Sequence, residues 1–111
     1  MNPSLIIAGI PFFDTPAEVE GSPYWVDLWT DVNGYKIGLQ VKPASYRSAS
    51  TSFFMGGAKT SEEHGHKLFR HDFGGDVFIV TPKNGIESPQ TAQRIKTYYD
   101  RLIKLPPKDQ N

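Results

Sequence analysis

The chain has 111 residues, as many acidic as basic side chains and 38% hydrophobic residues, which suits one small domain with a modest core and excludes a disordered, strongly charged chain. It has no cysteine, which rules out a disulfide framework and a thiolate zinc site and fits a cytoplasmic protein. The short apolar run Leu5–Ala8 follows no basic residue and is too short to span a bilayer, so neither a signal peptide nor a membrane helix is expected.

Residues 1–23 are punctuated by Pro3, Pro11, Pro16, Gly21 and Pro23 and are loosely specified. Thr15-Pro16 with Glu18 reads as one short capped helical turn. Residues 24–31 and 35–43 then read as two strands of a hairpin. Asn33-Gly34 between them is the strongest short-range hairpin signal, because both residues tolerate the positive φ of a type I′ turn. That turn pairs Val32 with Tyr35. By alternation it puts Val26, Leu28, Ile37, Leu39 and Val41 on an apolar core face. Trp25, Asp27, Trp29, Gly38, Gln40 and Lys42 share the other face. The two tryptophans are expected to pack under a helix or loop.

Residues 44–52 read as a polar loop. A helix is expected from about Thr60 or Ser61, with Thr60 and Glu63 at capping-box spacing, to about Asp72, stopped by Gly74-Gly75. Residues 76–81 form an apolar run that suits a central strand buried on both faces. Ser88 and Pro89 open a last helix whose Ala92, Ile95, Tyr99 and Leu102 face the sheet, and Pro106-Pro107 ends it. The fold class is therefore α/β: a β-hairpin plus a central buried strand flanked by helices.

Charge is segregated along the chain. Residues 1–34 hold Asp14, Glu18, Glu20, Asp27 and Asp31 with no Lys or Arg, whereas residues 35–70 are net basic. Acids beside cations suit phosphodiester chemistry, with carboxylates for a metal and cations for the backbone. The hairpin register sets Asp27 opposite Gln40, with Lys42 two residues on. Asp27 is a hard oxygen ligand of the kind Mg²⁺ prefers, and the Gln40 amide oxygen or the Val41 carbonyl can add to it. Lys42 can hold the attacking water and offset charge on phosphorus. An aspartate and a lysine on a hairpin face are ordinary solvent-facing residues when taken alone. The register, the charge switch and the element order together favour the site.

Asp27 followed by Gln40-Val41-Lys42 on a hairpin, and then by helix, strand and helix, resembles the PD-(D/E)XK nuclease superfamily. Residues 38–46 (GLQVKPASY) and 73–80 (FGGDVFIV) are similar to MjaI-type restriction endonucleases. The resemblance covers roughly residues 24–104 of a single domain, with 106–111 as a tail. It departs from the pattern in two places: Val26 replaces the proline before the aspartate, and Gln40 replaces the second acid. It implies a restriction-endonuclease-like core and a Mg²⁺-dependent DNA endonuclease in which Mn²⁺ can substitute. It also implies that Glu20 or Glu18 can supply a further acid. Double-stranded DNA would be contacted by Ser45, Tyr46, Arg47, Lys59, Lys67 and Arg70, and cleavage of both strands favours a homodimer. The alternatives are a non-catalytic nucleic-acid-binding or interaction module on the same fold, and a Holliday-junction resolvase or Mrr-like nuclease. His64 and His71, seven residues apart, could face a groove alike, although a solvated helix face is the commoner outcome.

Overall fold

The computed structural model describes residues 2–43 and 56–108, and the side chains from residue 63 onward in the second of these segments. Eight elements occur among them: β1 (Leu5–Ile7), β2 (Ile10–Asp14), α1 (Ala17–Glu20), β3 (Leu28–Val32), β4 (Tyr35–Val41), α2 (Gly56–Phe73), β5 (Val77–Val80) and α3 (Pro89–Lys104). They form an α/β fold on one five-stranded mixed sheet in the order β1-β2-β3-β4-β5. The first four strands run antiparallel and β5 runs parallel to β4.

The central hairpin follows the turn chemistry. Asn33 and Gly34 both take positive φ, at 61° and 90°, and the ladder runs from Val32–Tyr35 to Leu28–Leu39 as expected. Asn33 also ties the turn to the far end of the chain. Its Nδ2 donates to the Leu105 carbonyl at 2.6 Å, and its own carbonyl accepts from the Lys108 N–H at 3.0 Å. The Tyr35 hydroxyl donates to the Pro106 carbonyl at 3.0 Å.

The sheet carries an apolar layer on each face. Phe12, Leu28, Ile37, Leu39 and Val80 pack with Ile95 and Leu102 of α3. On the opposite face Val19, Val26, Trp29 and Val77 pack with Phe69 and Phe73 of α2. Trp29 meets the Phe73 ring edge-on at 5.4 Å between centroids, so it does pack under a helix. Gly38 makes this approach possible, since a Cβ there would lie 2.8 Å from Val26 Cγ1 and 3.1 Å from Phe69 Cζ. Gly65 does the same for α2, which lies directly on the Pro23 carbonyl.

Several expectations need correction. The loosely specified start is an ordered β1–β2 hairpin, turned by Ala8 and Gly9 at φ 53° and 80°. Thr15 does not cap α1; its hydroxyl donates to the Val26 carbonyl at 2.7 Å and so fastens the segment before β3. Helix α2 begins at Gly56, so Thr60 and Glu63 lie inside it rather than at its start. Val26 faces α2, not the α3 core, because Asp27 and Leu28 both meet Leu39, a bulge that breaks the alternation between Val26 and Leu28. Val41 is 37% exposed and is not core. β5 is an edge strand and not a central one, and Ile79 is 37% exposed. The last helix matches its expectation: the Thr91 N–H reaches the Ser88 hydroxyl with Pro89 in the first turn, and the helix stops before Pro106.

Candidate nuclease site beside an arginine groove

Asp27 sits where β3 leaves the ladder. Its N–H donates to the Leu39 carbonyl at 2.8 Å, so the expected pairing with Gln40 stops one step short. The Val41 N–H, which points towards β3, thereby loses a backbone acceptor. The Asp27 carboxylate takes that place, accepting from Val41 N through Oδ2 at 2.8 Å. The Thr15 N–H and hydroxyl both donate to the Asp27 carbonyl, each at 3.1 Å. Asp27 is thus held by backbone on both sides, and its carboxylate lies against β4 between Gln40 and Lys42. Its Oδ1 has no hydrogen-bond partner among the described residues.

Gln40 lies on the α2 face, in register with Ile79 of β5. It is 5% exposed, and its Oε1 is buried with no hydrogen-bond partner among the described residues. Leaving a buried acceptor unpaired costs about 1–3 kcal/mol, so this atom fits a position meant for a donor or a cation. Lys42 follows by alternation on the same side. Its side chain is half-buried and its N–H donates to the Val80 carbonyl at 2.9 Å, which anchors the end of β4 to β5.

Glu18 and Glu20 are exposed on α1, and among the described residues no three His, Asp or Glu side chains gather as a metal-holding group. An ion here would depend on Asp27, the Gln40 amide oxygen and backbone carbonyls such as that of Val41. Of the expected DNA contacts, Ser45, Tyr46, Arg47 and the Lys59 side chain lie outside the described residues. Lys67 is exposed on α2, as are His64 and His71. Arg70 is bound to Asp76 at 2.8 Å.

A second feature escaped the reading of the sequence. Two hollows of about 400 and 350 Å³ meet along the outer edge of β5 and share Asp76, Phe78 and Arg94. Arg94 of α3 lines both and Arg101 the second, one guanidinium lying 5.9 Å from the Phe78 centroid and the other 5.7 Å from that of Tyr98. Burial pushes the Tyr98 hydroxyl above its ordinary pKa and the Asp76 charge adds to this, while the charge of Arg101, the N–H of Asp76 and the charge of Arg70 oppose it. The sequence signal was available: positions 94, 97, 98 and 101 form one helical stripe beside the apolar one.

No helix among the described residues is long and apolar enough to cross a membrane. No family model, no curated protein and no solved structure matches this chain.

Proposed function

We propose that the chain is a Mg²⁺-dependent DNA endonuclease of the PD-(D/E)XK kind, of restriction type, acting through Asp27, Gln40 and Lys42. The observation that carries the reading is the Gln40 Oε1, buried without a donor among the described residues, one residue from the strand position where the Asp27 carboxylate is fixed. One Asp27 oxygen holds β4, and the other has no partner among the described residues and would ligate. Lys42 orients the attacking water and offsets charge as it builds on phosphorus. Mg²⁺, when bound, neutralises the phosphate and acidifies the water. Substitution of an acid by Gln40 supports a second reading as a non-catalytic DNA-binding module.

Plasmid incubated with Mg²⁺ and either the natural chain or Lys42→Ala separates the two readings. Cleavage is expected from the natural chain and a rate at least about a hundredfold lower from the variant. Equal cleavage by both, or none by either, overturns the catalytic reading. Discrete fragments would support restriction, and preference for four-way junctions would support a resolvase.

A further inference from the structure

We infer that the groove between β5 and α3 is the seat of a nucleic-acid backbone, with Arg94 and Arg101 each taking a phosphate. This rests on the nuclease reading for its partner but on different residues for its support.

The first support is charge. Lys36, Arg70 and Lys96 each bond a carboxylate, at 2.8, 2.8 and 2.7 Å. Arg94 and Arg101 have no carboxylate partner among the described residues. Both are exposed, and each lies over an aromatic ring instead. A guanidinium lying over a ring face gains a cation–π attraction and still has N–H groups to offer phosphate oxygens.

The second support is spacing. Seven helical residues rise about 10.5 Å, which sets the two guanidiniums far enough apart to take separate phosphates. Thr97 and Tyr98 lie between the two arginines on the same stripe and line the same hollow.

The third support concerns what the groove rejects. The outer edge of β5 is blunted at both ends. The Val77 N–H donates to its neighbour Asp76 Oδ1 at 2.9 Å, and the Thr81 N–H donates to Glu87 Oε1 at 2.8 Å. Only the Ile79 N–H remains open between them among the described residues. An added peptide strand would find too few partners there, whereas a polyanion needs only side-chain donors and that one amide. The groove also adjoins the proposed site, since Ile79 is registered with Gln40 on the neighbouring strand.

The test is fluorescence anisotropy of a labelled duplex of about 20 base pairs in EDTA, with salt raised from about 50 to about 200 mM. The natural chain is compared with Arg94→Gln/Arg101→Gln and with Arg94→Lys/Arg101→Lys, each checked for folding by circular dichroism. The glutamine pair is expected to bind about tenfold more weakly, with the slope of log K against log salt reduced by about 1.8, or about 0.9 per lost contact. The lysine pair is expected to keep most of the slope. Unchanged affinity and slope in a folded glutamine pair overturn the inference, as does absence of binding by the natural chain. Binding that depends on the arginines, without any cleavage in Mg²⁺, upholds the groove and sinks the nuclease reading.

Discussion

Gly38→Ala tests how closely α2 lies on the sheet. The new Cβ would sit 2.8 Å from Val26 Cγ1 and 3.1 Å from Phe69 Cζ, against a comfortable separation of about 3.5–4.0 Å. Both neighbours are fully buried, so neither can swing into solvent. Overpacking of this kind costs about 1–3 kcal/mol. Val26→Ala alone removes two methyl groups, about 1.6 kcal/mol of transfer free energy, and opens a cavity that brings the loss to about 2 kcal/mol. In the double variant the new methyl lies in the space that Val26 vacates. Its loss is therefore expected to stay near about 2 kcal/mol instead of the additive value of about 4, a coupling of at least about 1 kcal/mol. Urea unfolding of the four proteins, with m-values compared to exclude a changed denatured state, measures this. Additivity within about 0.5 kcal/mol would refute the contact geometry.

Three further outcomes are expected. Asp27→Ala strips the Val41 N–H of its acceptor and should lower stability by about 1 kcal/mol, while Asp27→Asn keeps an oxygen there and loses less. Equal melting temperatures of the two would contradict the strand-capping role. Mg²⁺ should raise the melting temperature of the natural chain but not of Gln40→Leu, and an equal rise in both would remove Gln40 from the ion site. The hydrogen bond from the Lys36 ammonium, helped by the Gly34 N–H and the Lys36 charge and opposed by burial, holds the Asp31 carboxyl below its ordinary value of 3.8. With the folded value depressed, its contribution is present above pH 3.8 and fades as pH falls through the lower folded value. Asp31→Asn should therefore flatten the acid limb of the stability curve, and an unchanged limb would show that other carboxylates set it.

The central hairpin was legible because its register depends on two adjacent residues, Asn33 and Gly34, whose backbone preferences act locally. The last helix was legible for the same reason, through Ser88 and Pro89. What could not be read depends on contacts distant in sequence. β1 has three residues, and Pro11 lies within β2, so neither stands out until each pairs with its neighbours. The apolar run at β5 resembles a central strand. It lies at the edge, where Asp76 and Glu87 satisfy outward amides that a further strand would otherwise occupy. At the candidate site the residue types and the shared strand were readable. The departure of Asp27 from the ladder was not, because its carbonyl is held by Thr15, outside the hairpin pattern.

The bonds joining the Asn33–Tyr35 turn to residues 105–108 bear on synthesis as well as stability. The hairpin can close as soon as its own residues leave the ribosome, on the microsecond scale of such turns. Its anchors at Leu105, Pro106 and Lys108 emerge some seventy residues later. At about 5–20 residues per second that interval lasts several seconds. Throughout it any turn that has closed carries unmet polar groups at its tip, so water must stand in for the tail until residue 108 leaves the ribosome.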